Sequence, residues 1–274
     1  MTPLPIREEQ QGKLTLLLVR ANNGFAGAIR GGPGGQPVVL HGTDPDEVWR
    51  RLELEAGKLH PSYFGFGGAR ARFLREFPEG FSAHGYLETE RNYKLGAKAR
   101  LDAAVPLFAA AAGSGFGPAV LRVYKDKDSN LLNWHETDRL KELLTGASAD
   151  VFVRAVAAFT LGAGAPALAE MERLLRSYDS AKWTVVTYLP FLWRPDRHMF
   201  LKPTITKDFA ARVGHRFAHL YESGLVMTVY ESLLDLAACT ETELADLHPQ
   251  DRIDVQSFIW VIGQPEPPLI RAAP

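Results

Sequence analysis

Between residues 13 and 42, glycine-rich breaks cut the chain into apolar runs too short for helices, which constrains the fold more than any other sequence feature. The runs are Leu14 to Val19, Phe25 to Ile29 and Pro37 to Leu40. Ala21-Asn22-Asn23-Gly24 separates the first two, and Gly31-Gly32-Pro33-Gly34-Gly35 the second pair. Asn-Gly and glycine clusters admit positive φ, so the pattern predicts an antiparallel three-stranded meander. Residues 1–12 are polar and marked by prolines, which predicts a loose tail. Asp44-Pro45-Asp46-Glu47 then opens a helix: Asp44 caps it, Pro45 forfeits no hydrogen bond there, and Glu47 stands three residues past the cap. With Val48, Leu52 and Leu59 facing inward, residues 1–60 are expected to form a small β-β-β-α unit.

Residues 61–274 carry mostly helical spacing. A short helix is expected from about Gly68 to Phe77, stopped by Pro78. A longer one should run from Tyr86 to Ala112, with Tyr93, Ala97, Leu101, Ala104 and Phe108 in phase and a kink at Pro106. Asn133 to Glu136 reads as a capping box before Leu140, Leu143 and Leu144, and Gly146 ends that helix. Phe152, Val156 and Phe159 mark another, the segment from Pro166 to Leu175 a third, and Tyr230 to Ala237 a fourth. Residues 183–193 and 253–262 are apolar on every side, so periodicity leaves strand and helix equally open. The expected class is α+β, mainly helical: a small antiparallel meander with its helix, then a helical body with one or two core strands.

Lys and Arg total 31 against 32 Asp and Glu, which excludes a protein that coats nucleic acid through bulk charge. No run of about 20 apolar residues exists, so no membrane is expected, and the cytoplasm is the default compartment. The single cysteine, Cys239, allows no internal disulfide and reads as a small buried hydrophobe.

Local charge is more suggestive. Arg70, Arg72 and Arg75 follow Tyr63, Phe64 and Phe66, and Arg91, Lys94 and Lys98 fall at i, i+3 and i+7 along one helix edge. Such an edge could track a phosphate backbone while exposed rings stack on bases. The plainer reading is that the rings fill the core and the cations pair with Glu76, Glu88 and Glu90. A second segment, Thr206 to Gly214, resembles the first helix and turn of a helix-turn-helix, with Arg212 and Arg216 near the turn and residues 215–220 as a recognition helix. The plainer reading is an ordinary helix ended by a glycine. His215, His219 and Glu222 would share a face of one continuous helix, but the HExxH spacing is missing and no metal site is expected.

Asp196, Arg197, His198 and Lys202 occupy a proline-bounded loop, a common place for function, although no nucleophile has a defined relation to them. The glycine cluster lacks the lysine and Ser/Thr of a P-loop. The acids Asp126, Asp128, Glu136 and Asp138 lack a nuclease arrangement, and no G-x-G-x-x-G joins a strand to a helix, so no cofactor is expected. These features predict a non-enzymatic binding protein that uses local basic patches for DNA or RNA, or assembles with protein partners. Its first rival is an enzyme of unfamiliar type centred on Asp196 to Lys202. The second is a structural subunit exposing an apolar patch around Trp183, Leu192 and Trp193.

Overall fold

The computed structural model describes residues 4–32, 35–127 and 131–265, and the side chains of Trp134 and His135 fall outside it. Pro33, Gly34 and Asp128, drawn into the loop readings above, lie outside the described residues. The chain is α+β and mainly helical: four strands precede a helical body.

The strands are β1 (Pro5–Gln11), β2 (Leu14–Ala21), β3 (Gly24–Arg30) and β4 (Val38–Gly42), antiparallel in sequence order. From Pro5 to Gln11 the predicted tail is instead an edge strand. Pro5–Gln11 is too polar to show an apolar alternation, yet its backbone pairs with β2 from Pro5↔Val19 to Gln11↔Leu14. A ladder needs backbone groups, not apolar side chains. On the inner face, Leu16, Leu18 and Ile29 pack against Val48, Trp49, Leu52 and Ala56 of α1 (Pro45–Lys58). Asp44 caps α1, its carboxylate accepting from Asp46 N at 2.8 Å and Glu47 N at 2.9 Å.

The unit meets the body through backbone. A Cβ on Gly57 would lie 2.1 Å from Gly214 O, and Gly214 itself is left-handed at φ 76°. Just past the unit, Phe64 N donates to Arg212 O at 2.9 Å. An alanine within a helix normally outperforms glycine, but here it would press on backbone that has no rotamer to change. Gly57→Ala is thus expected to lower stability by about 1–3 kcal/mol. A rise in thermal midpoint would show that the junction is loose.

In the body, α2 (Gly65–Glu76) starts earlier than expected and stops before Pro78. The long helix predicted from Tyr86 is divided: a π-helical turn at Leu87–Arg91 leads into Asn92–Ala104, and Pro106 breaks the chain before Leu107–Ala112. The Asn133 capping box forms, with Glu136 N donating to Asn133 Oδ1 and Asn133 N to Glu136 Oε2. Both ambiguous stretches are helices, Trp183–Trp193 and Arg252–Gly263, so no core strand occurs among the described residues of the body. Every residue of Trp183–Trp193 is buried, which is why its sequence shows no polar face. Trp183, Leu192 and Trp193 consequently form no surface patch. No single described helix is long and apolar enough to cross a membrane.

Candidate functional site

The Arg252–Gly263 helix lies in the middle of the body, and its buried polar groups need partners. Asp254, Gln256 and Ser257 interrupt an apolar series that includes Ile253, Val255, Phe258 and Ile259. Arg91 meets the helix start, its Nη1 and Nη2 each 3.0 Å from one oxygen of Asp251, and Nη1 also reaches Asp254 Oδ1. The Tyr86 hydroxyl donates to that same Asp254 oxygen, and Gln250 N donates to the other at 2.8 Å. One turn along, Lys94 Nζ donates to Ser257 Oγ at 2.7 Å and to Glu90 Oε2 at 3.1 Å. At the far end, Arg72 and Arg212 both donate to the carbonyls of Ile262 and Gln264, where the helix dipole favours cations.

Four cations expected at a nucleic-acid surface therefore hold one helix. Arg91 and Lys94 do share an edge, as their spacing requires, but that edge faces inward, and Lys94 is 0 % exposed. A phosphate cannot reach either side chain. Of the others, Arg70 pairs with Asp246, Lys98 with Asp102 at 2.8 Å, and Arg216 with Asp235 at 3.3 Å. Arg75 is exposed on α2. The helix-turn-helix expectation is corrected in its second half. Pro203–Val213 does end in a left-handed Gly214, but Phe217–Leu220 is a single turn, too short to lie along a groove. The break also separates His215 from His219, so the predicted one-face trio with Glu222 does not form.

The Asp196 to Lys202 loop divides in the same way. Asp196 is clamped by Arg194 at 2.9 and 2.7 Å, with Arg197 3.6 Å away. His198 points into the core, bonded through Nδ1 to the Tyr230 hydroxyl at 2.7 Å and through Nε2 to Thr160 O at 2.9 Å. Burial holds its pKa below the ordinary value despite the Thr160 carbonyl, so it is a neutral ring tying helices together. Lys202 faces a cavity.

That cavity, about 320 Å3, is lined by Thr89, Glu90, Tyr93, Leu131, Lys202, Gln256 and Trp260. Thr89 and Glu90 sit on the π-helical turn, a rare distortion that recurs at functional sites. Gln256 and Trp260 come from successive turns of the Arg252–Gly263 helix, and Lys202 from the residue preceding Pro203–Val213. Burial raises the Glu90 pKa, with Lys94 opposing, while burial brings Lys94 down to about 8 against the pull of Glu90. Burial also lowers the Lys202 pKa, with Glu136 acting the other way. Gln256 is 3 % exposed, and its Oε1 has no hydrogen-bond partner among the described residues. Sequence reasoning missed Glu90 and Gln256 as a pair. The available signal was Gln256 itself, an amide inside an otherwise apolar run.

A second cluster lies in the cleft between α1 and the body. Ligand-type atoms of His215, Asp235 and Cys239 lie within 4.8 Å of one another, beside Glu53 and Trp49. Yet His215 Nδ1 accepts from Phe217 N at 3.1 Å, which places the ring proton on Nε2, facing Asp235 at 3.2 Å. A protonated nitrogen donates and does not ligate. Burial, Asp235 and Glu243 together push the Cys239 thiol pKa upward. The cluster is a hydrogen-bonded latch, and a metal could enter only by breaking it.

Comparison with family models, curated proteins and solved structures yields no match.

Proposed function

We propose that this protein binds a small polar molecule in the Glu90–Gln256 cavity and that Glu90 exchanges a proton with it. The observation that carries this reading is the cavity wall on which Glu90, Lys202 and Gln256 converge, with Gln256 Oε1 buried behind that wall without a partner. Leaving such an atom unpaired costs about 1–3 kcal/mol, which marks the amide as retained for something other than packing. Glu90 suits proton exchange because burial raises its pKa above the ordinary carboxylate value, which makes it a stronger base. Lys94, behind it, is a positioning residue that touches Glu90 and not the cavity.

The test is Gln256→Met, which keeps the shape and removes the unpaired oxygen. The variant is expected to be more stable than the wild type by about 1–3 kcal/mol, a gain visible as a thermal midpoint several degrees higher. A lower midpoint would mean that the amide is a structural group, and the reading would be abandoned. The nucleic-acid reading finds less support, since Arg70, Lys98 and Arg216 each already face a carboxylate.

A further inference from the structure

Helix α1 covers one face of the four-stranded sheet and leaves the other open. Leu16, Leu18 and Ile29 point to α1, and an antiparallel sheet of this kind ordinarily turns polar side chains outward between such residues. Here the outward positions are apolar as well. Register places Leu17 beside Ala28 and Ala28 beside Val39, with Val19 beside Ala26 in the next row. Val39 is 50 % exposed. Ala26 and Ala28 are too small to fill their share of the surface, and a hollow of about 540 Å3 lies over them, lined by residues of the four strands alone. Contiguous apolar surface with a polar rim marks an interaction site.

The face is complementary to itself. Its large side chains, Leu17 and Val19, stand on β2, and its small ones, Ala28 and Ala26, stand beside them on β3. A two-fold axis along the strands, between β2 and β3, lays β2 of each copy over β3 of the other. The large side chains then enter the hollow over the small ones. Charge repeats the pattern. Glu8 and Arg30 both border the hollow, both are exposed, and neither has an ion-pair partner among the described residues. Glu8 pairs in register with Leu17, and Arg30 with Thr15, two residues along the same strand. The same axis sets Arg30 over Thr15 of the second copy, one strand and two residues from that copy's Glu8. Two long side chains span that offset between sheets packed about 10 Å apart.

We propose that the open face of the sheet is a two-fold dimer interface, in which Leu17 and Val19 of each copy fill the hollow over Ala28 and Ala26 of the other, and Glu8 meets Arg30 across it twice.

Sedimentation velocity of the full chain at rising concentration reads the association directly. A face of four short strands is small, so a dissociation constant on the order of 10 µM is expected. Leu17→Lys should hold the chain monomeric across the range with its circular dichroism unchanged, because the position faces away from α1. Glu8→Arg and Arg30→Glu test the pairing without touching the apolar centre. Each alone brings like charges together at two places and should weaken dimerisation about tenfold or more. Mixed in equal amounts, the two variants should associate as the wild type does, since each then meets the opposite charge on the other. Recovery on mixing cannot come from a contact within one chain. A wild-type chain that remains monomeric at about 1 mM overturns the proposal. So does a dimer that survives Leu17→Lys, or a pair of charge variants that stay apart when mixed. A monomeric wild type that binds an apolar dye, with the dye lost in Leu17→Lys, assigns the face to a different partner and equally overturns the dimer. Should Leu17→Lys fail to fold, the mixing result decides alone.

Discussion

Replacing Arg91 with methionine is expected to cost about 3–5 kcal/mol of stability, the range found when one partner of a buried ion pair is removed. Asp254 is fully buried, and the Arg91 guanidinium is its only cationic partner within ion-pair distance among the described residues. Burial disfavours the Arg91 charge, but Asp251 and Asp254 outweigh it and hold the guanidinium pKa above its ordinary value. Without that group, Asp254 keeps the Tyr86 hydroxyl and Gln250 N–H but loses its counter-charge. The start of the Arg252–Gly263 helix loosens at the same time, since Asp251 is its N-cap. Urea unfolding of Arg91→Met and Lys98→Met makes the comparison. Lys98 pairs with Asp102 at the surface, where such bonds contribute at most about 1 kcal/mol. Equal losses in the two variants would refute the internal role assigned to Arg91.

Lys94→Met is the second large effect, and pH exposes its mechanism. In the folded protein the Lys94 pKa stands at about 8, below its ordinary 10.5. The folded state therefore gives up this proton earlier than the unfolded state does. Between roughly pH 8 and 10.5 the unfolded chain holds more protons, so this residue makes stability rise with pH there. Lys94→Met should lack that rise. At pH 7 the variant should be less stable by about 3 kcal/mol, because Glu90 then sits in the interior without its cation. Losing the lysine raises the Glu90 pKa further, so the folded variant takes up a proton before the unfolded chain does. Its deficit should accordingly shrink as pH falls toward the ordinary 4.5 of a glutamate. Adding Glu90→Gln should recover much of the pH 7 loss. A deficit that is flat in pH and additive with Glu90→Gln would mean that packing, not charge, is what Lys94 supplies.

Much of the local architecture could be read directly. Asp44 and Asn133 cap the helices they were expected to cap, and Pro78 and Pro106 interrupt where their rings require. Gly214 ends the helix it was expected to end, in a left-handed turn. These features depend on neighbours a few residues away, so the chain order already contains them. The edge strand Pro5–Gln11 was missed because backbone pairing leaves no mark on a polar sequence. The π-helical turn at Leu87–Arg91 was missed because one additional residue in a helical turn has no compositional signature.

The candidate site was legible only in fragments. Lys202 was singled out for its loop, and Arg91 and Lys94 for their spacing, but none of the three revealed its partners. Sequence by itself determined that Arg91 and Lys94 share one side of a helix. Whether that side met water or the core was decided by the Arg252–Gly263 helix, whose Asp254 contacts Arg91 across 163 positions of sequence. Burying a cation is tolerable only where a carboxylate is already held to receive it, and that condition belongs to the packed structure.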